Sequence, residues 1–178
     1  MNKGIVKGLI ALVLGLVLIA TPASAQIKWG LGIGPTVPMG TFADGAKLGF
    51  HAVGIANFDL TAKPISFRAD AVYNVNKCKA AGCSTTSNLV TVSGDVAYNF
   101  PTPRVHPYLL GGVTWGHGSC SGSGCAGASS SNDIGFNVGG GLHWDMGPTK
   151  VFIEARYFSL SDSGAKTNFI PISFGIRF

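Results

Sequence analysis

"FIPISFGIRF", from Phe169 to Phe178, is the stretch that decides the fold. Ile170, Ile172, Phe174, Ile176 and Phe178 share one parity, while Pro171, Ser173, Gly175 and Arg177 share the other. Successive side chains of a strand point to opposite faces, so this segment has one wholly apolar face and one small or polar face. The apolar face must be covered by something.

The same period of two recurs upstream. Val151, Ile153, Ala155 and Tyr157 oppose Glu154 and Arg156, and Ile134, Phe136, Val138, Leu142 and Trp144 oppose Asn137, Gly139, Gly141, His143 and Asp145. Val90, Val92, Val96, Tyr98 and Phe100 oppose Thr91, Ser93, Asp95 and Asn99. The alternation is cleanest where Ile65, Phe67, Ala69, Ala71, Tyr73 and Val75 oppose Ser66, Arg68, Asp70, Asn74 and Asn76. Nearer the N-terminus, Ile27, Trp29, Leu31 and Ile33 face away from Lys28, Gly30, Gly32 and Gly34. Leu48, Phe50, Ala52, Phe58 and Leu60 oppose His51, Asn57 and Asp59, with Val53 and Ile55 blurring the middle. Between Tyr108 and Trp115 both parities are apolar, so periodicity alone does not orient that segment. The count is eight strands.

The connections alternate in length. Thr36 to Ala46, Lys77 to Ser87, Gly118 to Asn132 and Ser161 to Asn168 read as long loops, whereas Thr61 to Pro64, Pro101 to His106 and Gly147 to Thr149 are short. Bacterial membrane barrels join their strands in this way, with short periplasmic turns and longer external loops. A soluble sandwich would set Lys, Glu and Thr opposite its apolar parity; here that face carries Gly, Asn and a few charges of both signs. Small and polar groups suit a narrow lumen, lipid covers the outside, and closure removes edges whose unpaired backbone groups are costly in hydrocarbon. The expected fold is all-β: an eight-stranded antiparallel up-and-down transmembrane β-barrel over residues 26–178. Trp29, Tyr73, Tyr98, Phe100, Tyr108, Trp115, Trp144 and Tyr157 are assigned to an aromatic girdle near the strand ends.

Bulk properties agree with export. Lys3 and Lys7 precede an apolar run from Leu9 to Ala20, followed by Pro22 and Ala23-Ser24-Ala25. That is the order of a cleavable signal peptide over residues 1–25, and a run of about a dozen apolar residues falls short of the roughly 20 that a helix needs to span a bilayer. Charged residues make up 12% of the chain, about half the usual share. The net charge of +5 comes without a Lys/Arg cluster, so no nucleic-acid partner is expected.

The sequence resembles the small outer-membrane β-barrel family, the OmpA/OmpX-like or porin-like outer membrane protein β-barrel group. The carriers are "NFPTPRVHPYLLGGVTW" (Asn99 to Trp115), "GFNVGGGLHW" (Gly135 to Trp144), "FIEARYFSL" (Phe152 to Leu160) and the terminal "ISFGIRF". The resemblance implies a bacterial outer-membrane location, outer-membrane lipid as surroundings, and Phe178 as the signal read by the barrel assembly machinery. It also implies a chain that is not an enzyme.

The inward charges Arg68, Asp70, Asp95, Glu154, Arg156 and Arg177 are expected to form a lumenal ion network. An eight-stranded bore is just wide enough for side chains to fill, and unpaired buried charge is so costly that pairing is expected. An ion path is the rival reading. "CKAAGC" (Cys78, Cys83) and "CSGSGC" (Cys120, Cys125) read as disulfides in an exported protein. Four cysteines allow three connectivities, and the local pairs Cys78–Cys83 and Cys120–Cys125 are preferred because closing two short loops is easy. A metal site at His117, Cys120 and Cys125 matches no standard zinc spacing, and no cofactor is expected.

Catalytic patterns are weak. His51 and His143 fall on the lumenal parity and His106 in a turn, none beside a committing neighbour. "GLGIG" (Gly30 to Gly34) lacks a following helix, and "GSCSG" (Gly118 to Gly122) lacks a strand-turn-helix context. Lipid A deacylases, also eight-stranded, carry a His and a Ser two apart near the end of the seventh strand. The corresponding "ARYFSLSDSG" (Ala155 to Gly164) has Ser159, Ser161 and Ser163 but no His before them. A structural or surface-interaction role is therefore expected, with a small passive channel as the alternative and a lipid A-modifying enzyme behind both. The ligand of the external loops is unknown.

Overall fold

The computed structural model describes residues 27–60, 64–79, 85–122, 130–162 and 165–178. The expected signal peptide and Gln26 lie outside them. Eight strands close into a barrel: β1 (Ile27–Met39), β2 (Gly49–Asp59), β3 (Ile65–Lys77), β4 (Thr86–Asn99), β5 (Val105–Ser121), β6 (Ser131–Met146), β7 (Thr149–Asp162) and β8 (Ala165–Arg177). One short helix, α1 (Thr41–Gly45), sits between β1 and β2. Each strand pairs antiparallel with the next, and β8 returns to β1 from Gly30↔Arg177 to Met39↔Asn168.

The terminal Phe178 completes the seam. Its backbone N–H donates to Trp29 O at 2.8 Å, and its carbonyl accepts from Trp29 N at 3.0 Å. With the seam closed there is no sheet edge to leave unpaired in hydrocarbon.

The outward parity is apolar and open. Ile33, Phe50 and Val113 are 68, 70 and 68% exposed, far more than a face packed on a second sheet allows, so lipid is the natural cover. The girdle forms two groups. Trp29, Tyr98, Phe100 and Trp144 lie toward the end with the short turns, and Tyr73, Trp115 and Tyr157 toward the opposite loop end. Tyr108 is a correction: it points inward and is buried, because β5 places Tyr108, Leu110 and Thr114 on the lumenal parity.

Several loop boundaries also need correcting. Thr36–Met39, read as loop, continues β1, and the expected fourth loop is a strand ladder reaching Asp162↔Ala165. Cys120 lies within β5 rather than in a loop, and His106 belongs to β5 rather than to a turn. The strands outrun the membrane. At about 3.3 Å per residue, the 17 residues of β5 tilted by about 40° rise about 43 Å, against an apolar band of about 25 Å. Beyond that band both faces meet water, so alternation ceases to mark a strand.

The bore is more apolar than the sequence suggested. Val53, Ile55, Val72, Leu89, Phe152, Phe158, Leu160 and Phe169 form one buried inward cluster. Val53 and Ile55 blurred the β2 pattern because they are large inward residues facing away from the small outward Ala52, Gly54 and Ala56.

Candidate functional site

The six expected lumenal charges all lie buried in the bore. Arg68 and Asp70 come from β3, Asp95 from β4, Glu154 and Arg156 from β7, and Arg177 from β8, each on the inward parity. In a ring of eight strands, β3 and β7 stand opposite one another. Contacts between them therefore cross the whole bore.

Two guanidiniums make those crossings. Arg68 donates from Nη1 and Nη2 to Glu154 at 2.5 and 3.0 Å and from Nε to Asp70 at 3.0 Å. Arg156 donates to Asp70 at 2.8 and 3.0 Å and to Asp95 at 2.9 Å, with its Nε 3.2 Å from Glu154. The fork of a guanidinium matches a carboxylate at two points, so these contacts fix geometry as well as charge. Tyr108, which the sequence reading did not place in this network, donates to Glu154 at 2.7 Å and accepts from Arg177 at 3.0 Å. Asn137, also missed, donates to Asp95 at 2.7 Å. Three arginines face three carboxylates, a neutral set when all are ionised.

Aromatic rings bound the set at both ends. Phe158 and Phe169 stack at 4.9 Å, with the Arg156 guanidinium 4.8 Å from the Phe158 ring. Toward the short turns, Arg177 lies 4.9 and 4.8 Å from the rings of Tyr108 and Phe152. Cation–π contacts strengthen when desolvated, as here.

His51 has a separate network. Thr36 gives its single hydroxyl proton to Asn74 at 2.8 Å, so His51 Nδ1, 3.0 Å from the same oxygen, must be the donor there. Nε2 then accepts from Ser173 Oγ at 2.8 Å. The contact has the form of a base beside a hydroxyl, yet His51 and Ser173 are each 5% exposed, which leaves a substrate little approach. His143 is buried and its ring stacks on His106 at 5.0 Å. At the exposed tip of β6, a hydrogen bond from Lys150 holds the Asp145 carboxyl below the ordinary carboxylate range.

The remaining candidates are scattered. Cys78 forms an isolated bridge with Ala46, and Cys120 pairs with Ser87; Cys83 and Cys125 lie outside the described residues, and no described cysteine is free. The suggested metal site needs Cys125, and His117 Nδ1 lies 3.0 Å from Asn132 Oδ1. Among the described residues no group of three or more His, Cys, Asp and Glu is placed to hold a metal. In β7, Ser159 falls on the outward parity, while its neighbours Phe158 and Leu160 are buried inward. Ser163 lies outside the described residues.

Residues 10–178 match the family described as the outer membrane protein beta-barrel domain. No curated protein sequence matches the chain. Among solved structures, Neisserial surface protein A (NspA) is similar with a TM-score of 0.70 at 20% identity, over 86% of this chain and 97% of that one. Ail, the attachment invasion locus protein of Yersinia pestis, gives 0.52 at 16% identity, over 86% and 97%. The outer membrane enzyme PagL gives 0.56 at 17% identity, over 85% and 98%. At these identities the likeness is one of fold, and it includes an enzyme. The closed barrel, its lipid-facing exterior and the match over nearly the whole chain lead to one conclusion: the chain belongs to the outer membrane protein beta-barrel domain family and resides in the bacterial outer membrane.

Proposed function

We propose that this protein is a non-enzymatic structural and display barrel whose bore is closed by its own side chains and whose loop end carries a surface-interaction role. The observation that supports it best is the Arg68–Glu154 and Arg156–Asp70 pairing between opposite strands. Such pairs occupy the diameter an ion would need. In this reading Cys78, just after β3, pairs with Cys83, and Cys120, near the end of β5, pairs with Cys125, and the two bridges hold the display surface against proteolysis.

Planar-bilayer recording of the purified protein tests this reading. Near-zero or flickering conductance is expected; steady, large openings would make the passive channel the better account. A lipid A-modifying activity would show as acyl loss from purified lipid A.

The side chain of Phe178 serves the assembly machinery, while its backbone serves the finished fold. It is an outward residue, 56% exposed, whose backbone makes the seam contacts with Trp29. Phe178→Ala keeps that backbone. The expected outcome is unchanged refolding into detergent micelles but sharply reduced barrel in the outer membranes of expressing cells, read by membrane fractionation. Equal losses in both assays would assign Phe178 a purely structural part.

A further inference from the structure

The two ends of the barrel treat their charges differently. At the short-turn end, the cations lining a cavity of about 500 Å³ are already engaged: Lys28 by Asp59 at 2.7 Å, Lys150 by Asp145 at 3.3 Å, and Arg177 by Tyr108 and Glu154. At the loop end, Lys47, Lys77, Lys79 and Lys166 are exposed, and among the described residues none of the four is ion-paired.

The short helix gathers these lysines into one sector. Lys47 N–H donates to Lys77 O at 2.8 Å, Lys79 N–H to Gly45 O at 2.9 Å and Lys79 Nζ to Ala43 O at 3.3 Å. On the other side, Thr41 Oγ1 donates to Lys166 O at 3.1 Å. α1 is thus tied to both β3 and β8, and the ring order β8, β1, β2, β3 makes the sector four strands wide. At about 4.8 Å between strands that is an arc of about 14 Å, more than one phosphate can reach across. Four lysines against Asp44 and Asp162 leave two positive charges in excess, and residues 80–84, 123–129 and 163–164 add no Asp, Glu, Lys or Arg. The remaining loop-end acid, Asp133, is buried on β6, across the ring from β2.

Parity gives the direction of these cations. Lys77 continues the outward row of Tyr73 and Val75, and Lys166 shares the outward parity of Ile170 and Ile172. A side chain on that parity leaves the wall over the surrounding lipid rather than upward into the medium. Leu48 and Phe50, which follow Lys47 toward the membrane, are 59 and 70% exposed. The lysines therefore stand at headgroup level, directly above hydrocarbon. Deeper on the same face, Leu31, Ile33, Phe174 and Ile176 wall an apolar groove of about 520 Å³ whose floor is the small outward residues Ala52 and Gly54. From Met39, paired with Asn168 just below Lys166, to Ile33 is six residues, or about 15 Å along the barrel axis at a tilt near 40°, half the thickness of the hydrocarbon core.

We infer that this face binds one outer-leaflet lipid bearing two or more phosphates, the chemistry of lipid A, with Lys47, Lys77, Lys79 and Lys166 on the phosphates and an acyl chain in the Leu31–Ile176 groove. Both halves of the site lie on the outer wall, so binding does not depend on whether the bore conducts or on what the loops display. A soluble polyanion would match the charge but leave the groove unused and would have to approach lysines that lean over lipid.

Native mass spectrometry of the purified protein in uncharged detergent micelles, titrated with diphosphoryl lipid A, tests this. The expected result is a single saturable adduct, formed at a concentration at least tenfold below that needed for phosphatidylcholine, with monophosphoryl lipid A weaker than the diphosphoryl form. The double variant Lys77→Gln, Lys166→Gln weakens binding by about 25-fold, at about fivefold for each lysine near an anionic surface. Lys150→Gln, at the opposite end, changes nothing. Gly54→Leu fills the groove, where an added side chain meets no protein atom within 4 Å of its Cβ, and weakens binding without touching a charge. All of these substitutions are at the surface, and heat-modifiable gel mobility checks that each variant is folded. Equal affinity for phosphatidylcholine, equal binding of the tail-less inositol hexakisphosphate, or parental affinity in the double lysine variant or in Gly54→Leu would overturn the assignment.

Discussion

Glu154→Leu is expected to destabilise the folded barrel by about 3–5 kcal/mol, the usual cost of removing one partner from a buried charge set. Glu154 accepts from both terminal nitrogens of Arg68 and from Tyr108, and it lies within 3.2 Å of Arg156 and 3.8 Å of Arg177. Without it, three guanidiniums share two carboxylates in a bore whose side chains are nearly all buried. Urea titration of the protein in lipid vesicles, followed by tryptophan fluorescence and heat-modifiable mobility, measures the loss. The double variant Arg68→Leu, Glu154→Leu restores charge balance and fills the space with aliphatic groups, so its cost should fall well below the sum of the two single changes. A Glu154→Leu cost under about 1 kcal/mol would mean that water screens these pairs as it does at a surface. That result would argue for a wet bore and would favour the channel.

Much of the barrel was legible because lipid imposes a strict rule on one face. β3 alternates without a break from Ile65 to Lys77, since every second residue meets hydrocarbon and its neighbours meet the lumen. The rule lapses in three places, each for a physical reason. Segments beyond the membrane, such as Thr86–Asn88 and the Ser161↔Lys166 ladder, have water on both sides and carry loop-like residues while remaining strands. In β5, Tyr108 and Leu110 fill the bore with bulk while Leu109 meets lipid, so both parities look apolar. The stacked Phe158 and Phe169 escaped notice for the same reason.

The six charges of the site could be picked out by parity, but their partners could not. Arg68 and Glu154 are 86 positions apart, and only the ring order places β3 opposite β7. The cavity at the short-turn end was less visible still: its lining includes Lys28, His143, Lys150 and Arg177 from four strands, and no spacing in the sequence links them.

Alanine at Gly135 or Gly34 is expected to prevent closure of the barrel, whereas alanine at Gly54 or Gly94 should leave it intact. These four glycines differ in which way a side chain would point. A Cβ on Gly34 would lie 1.8 Å from Ile172 O, and one on Gly135 would lie 1.8 Å from Ser159 O. Both obstacles are strand backbone, which cannot step aside as a flexible side chain could. Relief requires the neighbouring strand to move away, breaking ladder hydrogen bonds whose loss costs several kcal/mol each where hydrocarbon offers no replacement. A penalty of about 3 kcal/mol or more follows for either change, beyond the ordinary range for overpacking. At Gly54 and Gly94, on the outward parity, a Cβ meets nothing within 4 Å. There alanine adds a methyl group to the lipid face and removes freedom from the unfolded chain, a gain of about 0.5 kcal/mol. The comparison is read as the fraction of heat-modifiable barrel after refolding into vesicles, with the four variants side by side. If Gly34→Ala and Gly135→Ala refold as fully as Gly54→Ala, then the strands approach less closely than the curvature of so narrow a cylinder demands, and the bore must be wider than its buried ion pairs require.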